Sequence, residues 1–309
     1  MTGGEVMGAN KLKGHIACLI TVIIWGMSFI SIKYCLEVFR PMSLAFIRFL
    51  IASIILFFIT RKSKKFDKIK KKDIPLMAIS GIIGISIYFF CENNGIEHTQ
   101  ASVASLLLAT IPIITLFADR LVFKEKITLK KWIGILVSFV GVAMIIGENT
   151  GGKSELIGYV YMIGAVLAWV IYSVATKPLV DKYSQITIVY YQSMFGALAL
   201  LPFVFTEKNN WEMLNLSIVL NVLYLAIFCS VLGYIWYVFS VNELGISLSS
   251  LYINLMPLVT LIGSYFILEE SFGINKLLGG AFVILSVFIV SSKNSRKQNQ
   301  VEKTVYEVN

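Results

Sequence analysis

The sequence predicts an all-α integral membrane protein with ten transmembrane helices, built as two inverted five-helix repeats with both termini cytoplasmic. Three observations predict it. Apolar residues make up 57% of the chain and charged residues only 15%, where soluble domains have roughly 45–50% and about 25%. The apolar residues gather in helix-length windows, with Lys and Arg crowded into alternate connections. Finally, the two ends of the first half are echoed in the second at a nearly constant offset.

A spanning helix needs roughly 20 mostly apolar residues, so 309 residues accommodate about ten spans only if the connections are short. The windows fall at 14–35, 41–60, 74–91, 99–119, 130–147, 156–176, 185–205, 216–239, 247–268 and 275–292. Helix 1 follows Lys11 and Lys13 as a signal peptide would, but its run is full-length and has no small-residue cleavage site, so it reads as an uncleaved span. Helix 2 opens at Pro41 and closes on Arg61 and Lys62; helix 3 ends at Glu92-Asn93-Asn94. Helix 4 carries Ser102, Ser105 and a mid-span Pro112, and ends at Asp119-Arg120. Helix 5, with Gly134, Ser138 and Gly141, and helix 10, with Gly279, Gly280 and Ala281, present small faces suited to close helix approach. Helix 6 carries Trp169 and Tyr172 and ends at Lys177; helix 9 carries Pro257 where helix 4 has Pro112. Helices 7 and 8 are read from hydropathy, and helix 8 contains Trp236 and Tyr237. In lipid, backbone groups must be satisfied within helices or closed barrels, and these runs are too long and too evenly apolar for barrel strands. The segments 1–13 and 293–309 read as cytoplasmic tails, with 1–10 and 294–309 polar enough to be disordered.

Charge sets the orientation. The loop after helix 2 holds Arg61, Lys62, Lys64, Lys65, Lys68, Lys70, Lys71 and Lys72, and the loop after helix 4 adds Arg120, Lys124, Lys126, Lys130 and Lys131. These loops belong inside. With ten spans the basic tail Lys293, Arg296, Lys297 falls on the same side, and the opposite loops carry only Arg40, Lys153, Lys208 and Lys276. The net charge of +9 is therefore a signature of topology, and no continuous basic face points to nucleic acid.

A shift of 145 pairs Ser102 with Ser247, Ser105 with Ser250, Pro112 with Pro257, Thr115 with Thr260 and Glu125 with Glu270; a shift of 144 pairs Trp25 with Trp169 and Lys33 with Lys177. The repeats are expected over 14–148 and 152–292. Five helices per half send the second half into the membrane from the opposite side, an arrangement found in secondary transporters that open a midplane site to either side in turn.

These residues also resemble a known family. Trp25-Gly26-Met27-Ser28-Phe29 with Lys33, Pro41 and Arg48-Phe49-Leu50 is similar to the first-half signature of EamA-type proteins of the drug/metabolite transporter superfamily. The later signature follows as Ser102-Val103-Ala104-Ser105-Leu106, Pro112, Glu125-Lys126-Ile127-Thr128 and Gly134 through Gly141, with a second copy from Ser247 to Gly280. The resemblance covers about 14–292 and implies a ten-helix fold with a substrate pathway between the halves, in a family that includes exporters of amino acids and other metabolites. The second copy has Gln192 where the offset places Arg48.

Ionisable groups inside spans cost at least about 2.5–3.5 kcal/mol at the centre and default to functional hypotheses. Arg48 lies about seven residues into helix 2. It reads as a carboxylate or anion site, or as a structural cation on helix-end carbonyls within snorkelling reach of the surface. Glu92 is the candidate for a proton or a cationic substrate group, and otherwise a wet helix end. Lys33 reads as a helix anchor or a gating residue, Asp119 as half of an interfacial ion pair, and Glu125 and Glu270 as caps for the helix that follows each. The uncharged pathway candidates are Trp25, Tyr88, Trp169, Tyr172, Trp236, Tyr237 and Tyr252 for aromatic faces, with Ser28, Ser102, Ser105, Ser247 and Asn254 for hydrogen bonds. Interfacial belts and close helix packing are the competing readings. Pro112 and Pro257 are candidate kinks that free carbonyls.

Cys18, Cys35, Cys91 and Cys229 show no metal-ligand spacing, and His15 and His98 are far apart in topology, so neither metal nor disulfide is expected. No nucleotide or hydrolase motif is present, and no cofactor is expected. The leading expectation is a non-enzymatic secondary transporter, an exporter of a small metabolite such as an amino acid, in a bacterial inner membrane, with lipid and solute as its partners and proton coupling open. The alternatives are a non-transporting membrane sensor and an integral-membrane enzyme. The first would add a soluble domain and the second a cluster of His, Asp or Glu at a membrane face, and neither feature is visible.

Overall fold

The computed structural model describes residues 3–62, 66–122, 128–147, 152–180, 182–244, 252 and 255–291. Among them, besides short 3-10 turns at Lys71–Asp73 and Trp211–Met213, the helical stretches are grouped here into ten elements, α1 (Gly3–Cys35), α2 (Pro41–Lys62), α3 (Ile74–Gly81, Ile82–Ile87 and Tyr88–His98 in unbroken succession), α4 (Ala101–Leu108 and Ile111–Val122), α5 (Leu129–Gly147), α6 (Gly152–Val180), α7 (Gln185–Val204), α8 (Leu216–Leu223, Tyr224–Leu232 and Gly233–Leu244), α9 (Met256–Ile267) and α10 (Ile274–Ser291). Eight of these elements are long and apolar enough to cross a membrane, and Met256–Ile267 and Ile274–Ile289 are shorter apolar helices. The protein is a multi-pass membrane protein.

Several boundaries differ from the hydropathy reading for physical reasons. α1 runs back to Gly3 through the polar tail, because a helix once nucleated propagates at one hydrogen bond per residue and no proline stops it. α3 continues seven residues past 91 to His98, because Glu92 and Asn93 are buried inside the bundle, where Tyr88 donates to Glu92 and Asn93 donates to the Pro41 carbonyl, rather than fraying into water. α4 is interrupted at Ala109–Thr110, so Pro112 opens the first turn of its second stretch, where a missing N–H costs least. Pro257 occupies the equivalent first turn of α9.

Two stretches are π-helical, Ile82–Ile87 in α3 and Tyr224–Leu232 in α8. The 144-residue shift carries the first onto 226–231, inside the second. The wider turn frees carbonyls and commonly marks a functional segment. Within the first, a Cβ on Gly84 would overlap the Tyr172 ring of α6, so only glycine lets the two helices meet there.

α5 packs along α10, α2 along α7, α3 against α6, and α1 against α8 and α9. The α5–α10 contact rests on two glycines: a Cβ on Gly141 would lie 2.6 Å from the Gly279 carbonyl oxygen, and one on Gly279 would lie 2.6 Å from that of Gly141. The small faces on helices 5 and 10 thus meet each other. Apolar side chains such as Phe139, Val140 and Phe288 point outward, as a lipid-facing surface requires.

The connections gather at two ends of the bundle. At one, 36–40, 99–100, 205–215 and 268–273 are tied together by Asn210 N–H to the Val38 carbonyl (2.8 Å), Arg40 to Glu97 (2.8 Å) and Gln100 to the Ser271 carbonyl (3.1 Å). At the other, Asp73 accepts from Lys182 and from the Tyr183 hydroxyl, each at 2.8 Å, and the Lys182 ammonium is pushed above its ordinary range by that hydrogen bond.

Candidate functional site

A cavity of about 160 Å³ lies at the meeting of α1, α2, α3, α4, α6, α8 and α9. At about 10–15 Å³ per water position by this measure, it has room for roughly ten waters, or a small organic solute in their place.

One basic and one acidic side chain border it. Arg48 of α2 is buried, and its Nε donates to Ser230 Oγ at 2.7 Å. Ser230 sits in the π-helical stretch of α8 and its hydroxyl donates to the Leu225 carbonyl five residues back, at 3.1 Å. The guanidinium carbon lies 4.5 Å from the Phe89 ring centroid and 5.3 Å from that of Phe49, in cation–π range. The four remaining guanidinium N–H groups make no hydrogen bond to the described residues. A structural cation on helix-end carbonyls would look different: Arg48 borders the cavity rather than a helix terminus.

Glu92 of α3 is buried and accepts from the Tyr88 hydroxyl one turn earlier through Oε1 at 2.9 Å. Its Oε2 has no hydrogen-bond partner among the described residues. Arg48 and Glu92 share the cavity wall without forming an ion pair. A buried charge without a partner is costly. The site therefore holds a donor set and an acceptor that a ligand bearing both charges would satisfy.

Aromatic rings make most of the remaining wall. Trp25 donates its indole N–H to the Cys229 carbonyl at 3.0 Å, a carbonyl of the α8 π-helical stretch, and packs edge-on to Tyr234 at 5.2 Å. Trp169 of α6 stands between Tyr88 (5.1 Å) and Tyr172 (5.3 Å). Ser28 and Ser105 also line the cavity; each hydroxyl bonds back to its own helix at 2.7 Å, to the Trp25 and Ser102 carbonyls, so the oxygen lone pairs stay available. Pro257 closes the α9 side with Met256.

Of the sequence candidates, the structure brings Trp25, Ser28, Arg48, Tyr88, Glu92, Ser105, Trp169 and Pro257 to one cavity and leaves others away from it. Ser102 bonds Glu270 instead. Tyr172 lines a separate hole of about 10 Å³ and donates to Gln192 Oε1 at 3.1 Å. That Gln192 also reaches Ser80 and Thr176, so the position matching Arg48 in the second half is a neutral amide in a satisfied network. Tyr237 packs against Trp25, Trp236 against the core, and Tyr252 accepts or donates at 2.7 Å with His15. Ser247 and Asn254 lie outside the described residues, as does the Pro112 side chain.

The capping expectation for Glu270 is corrected. Its carboxylate binds the start of α4 rather than that of the following helix, accepting from Ala101 N–H (2.7 Å), Ser102 N–H (3.3 Å) and Ser102 Oγ (2.7 Å). Glu207 treats the start of α2 likewise, accepting from Met42 N–H (3.0 Å), Ser43 N–H (2.7 Å) and Ser43 Oγ (2.8 Å). Lys33 gives its ammonium to the carbonyls of Ile96, Glu97 and Thr99 at 2.6, 3.2 and 2.7 Å.

Sequence reasoning missed Phe29, Phe89, Leu108, Ala109, Ile111, Tyr234 and Met256 in the wall, and Ser230 behind Arg48. One signal was present for Ser230: the 144-residue shift pairs it with Ser86, another serine inside an apolar run.

Comparison with known proteins places the whole bundle in context. Residues 12–147 and 156–292 each match the model of the EamA-like transporter family. An uncharacterized transporter of Clostridium kluyveri is 30% identical over 94% of this chain and 96% of its own length. One of Archaeoglobus fulgidus is 29% identical over 91% of this chain and 100% of its own. A probable terminal-alkyne amino-acid exporter of Streptantibioticus cattleyicolor is 25% identical over 92% of this chain and 95% of its own. A solved crystal structure shares the fold with a TM-score of 0.63 at 16% identity, over 91% of this chain and 96% of that one.

Proposed function

The chain belongs to the EamA-like transporter family, and on that premise we propose that it is a secondary transporter that exports an amino-acid-like metabolite by alternating access around the central cavity. The observation that carries the reading is the pair of ionisable groups on one wall, the Arg48 guanidinium, which uses only its Nε–H in a hydrogen bond to the described residues, and Glu92, whose Oε2 has no hydrogen-bond partner among them. A substrate carboxylate pairs with the guanidinium, whose planar fork suits it. The substrate ammonium pairs with Glu92. An apolar side chain lies against Trp25, Trp169 and Tyr234, since pockets of this kind fix orientation with a few polar groups and gain affinity from apolar contact.

Glu92 also supplies a coupling rule. A carboxylate that holds either a proton or the substrate ammonium, but not both, exchanges one for the other across the membrane. Net movement is then proton inward and substrate outward. The outward direction takes support from the exporter named among the relatives.

The two halves act as inverted repeats with ten spans and both termini inside, in a bacterial cell membrane. The support is the family match to each half in turn, the two π-helical stretches at the 144-residue shift, and the basic loops at 61–72 and 120–131.

The test is counterflow of labelled amino acids and related metabolites in proteoliposomes, comparing the parent with Arg48→Ala. The reading predicts saturable exchange of a zwitterionic solute that the substitution abolishes. Exchange confined to solutes lacking a carboxylate overturns it.

A further inference from the structure

The hairpin tip between α3 and α4 is held from both sides by opposite charges. Residues 96–99 end α3, where four carbonyls have no partner within the helix, and Lys33 of α1 covers three of the tip's carbonyls. Residues 101–102 begin α4, where the N–H groups are the unpaired ones, and Glu270 covers two of them and the Ser102 hydroxyl. The cation sits on the negative end of one helix and the carboxylate on the positive end of the next, the favourable arrangement in both cases. Neither group is supplied by the hairpin. Lys33 comes from α1, and Glu270 from the turn between α9 and α10, in the other half of the chain.

Cavity residues flank the tip closely. Glu92 lies one turn before Ile96 along α3, and Ser105 lies one turn after Ser102 along α4, to whose carbonyl it donates. Between cavity and surface the packing is tight: Ile96, Ala101, Ser102 and Asn93 are each 1% exposed or less. A solute in the cavity cannot leave past this end while the tip is in place. The remaining polar contacts of the tip are Arg40 to Glu97, His98 to Ser154 (3.2 Å), Gln100 to the Ser271 carbonyl and Lys276 to Gln100 (3.3 Å), while Ile96 and Ala101 belong to the apolar core of the bundle, so the tip moves only together with the stretches of α3 and α4 that carry it.

We propose that the tip at 96–102 is the gate of the cavity on this face, held shut by the Lys33 and Glu270 clamp, and that release of the clamp swings Glu92 and Ser105 outward with it. The proposal rests on the transporter reading for its purpose. Its test does not.

Ala109, a cavity residue at the α4 break, is changed to Cys in protein whose four native cysteines are alanine. Labelling by a membrane-impermeant thiol reagent is then measured from each side of oriented vesicles. The clamp predicts that Lys33→Met and Glu270→Gln each raise the labelling rate from the face of 36–40 and 205–215 by about tenfold, and lower it or leave it unchanged from the other. Lys33→Arg, which keeps a cation on the carbonyls, labels at the parent rate. Unchanged labelling in both Lys33→Met and Glu270→Gln, with monodisperse protein, overturns the proposal, as does a rise for Lys33→Arg equal to that for Lys33→Met. If Lys33→Met does not fold, Glu270→Gln decides alone, because it keeps the side chain's shape and removes only its charge. Absence of flux for every solute tried, with the labelling response intact, counts against the substrate reading and leaves the gate standing. Normal flux with no labelling response counts against the gate alone.

Discussion

Arg48 and Ser230 are joined across the α2–α8 contact by a 2.7 Å hydrogen bond from Nε to Oγ, and that bond aims the rest of the guanidinium at the cavity. Ser230 is a positioning residue, since it does not line the cavity itself. Hydrogen bonds to charged groups contribute about 1.5–3 kcal/mol. Ser230→Ala is therefore expected to weaken substrate binding by at least about tenfold while leaving maximal flux near the parent value, and Ser230→Thr to restore affinity. Saturation curves for counterflow separate the two parameters.

The substrate ammonium and a proton compete for the Glu92 carboxylate in the proposed cycle. Acid protonates the carboxylate, so binding is expected to weaken as pH falls, approaching one proton released per substrate bound where the carboxyl is protonated at the start. Glu92→Gln removes this pH dependence and uncouples flux from an imposed pH gradient. Calorimetric titrations in two buffers of different protonation enthalpy count the protons directly.

Gly141 and Gly279 sit in contact with each other's backbone, so side chains there force α5 and α10 apart. Overpacking of this kind costs typically about 1–3 kcal/mol. Gly279→Leu is expected to lower the thermal midpoint in detergent, with substrate affinity of the folded fraction unchanged. A loss of affinity at an unchanged midpoint would place these helices in the pathway instead.

Lys276 and Glu155 form a 2.9 Å ion pair, 5% and 6% exposed, at the starts of α10 and α6. Breaking a buried pair by removing one partner costs about 3–5 kcal/mol, whereas replacing both is often much milder. Lys276→Met is expected to destabilise strongly, and Lys276→Met with Glu155→Gln to recover part of the loss. Unfolding curves for the two singles and the double complete the cycle.

The helices were legible because hydropathy is a property of long windows. The window 41–60 becomes Pro41–Lys62, and 185–205 becomes Gln185–Val204. The end of α3 was not, because hydropathy treats Glu92 and Asn93 as a wet terminus, whereas Asn93 is buried and donates to the Pro41 carbonyl at 2.8 Å. The π-helical stretches were invisible for a related reason: they change the hydrogen-bond register without changing composition. At the cavity, Arg48, Glu92 and Trp25 stood out as polar or amphipathic groups inside apolar runs. Leu108, Ile111 and Met256 did not, since a leucine facing a cavity and one facing lipid read alike. Lys33 and Glu270 were visible as charges, but the helix ends they serve lie 63 and 168 residues or more away along the chain, which no local pattern reveals.

The most direct test of the central claim is counterflow by the purified protein in liposomes against a panel of amino acids, run at two pH values and repeated with Arg48→Ala. The account predicts saturable exchange of a zwitterionic solute, weaker at the lower pH and absent from the Arg48→Ala protein. Folded protein that exchanges none of the panel, or exchange that survives Arg48→Ala intact, contradicts it.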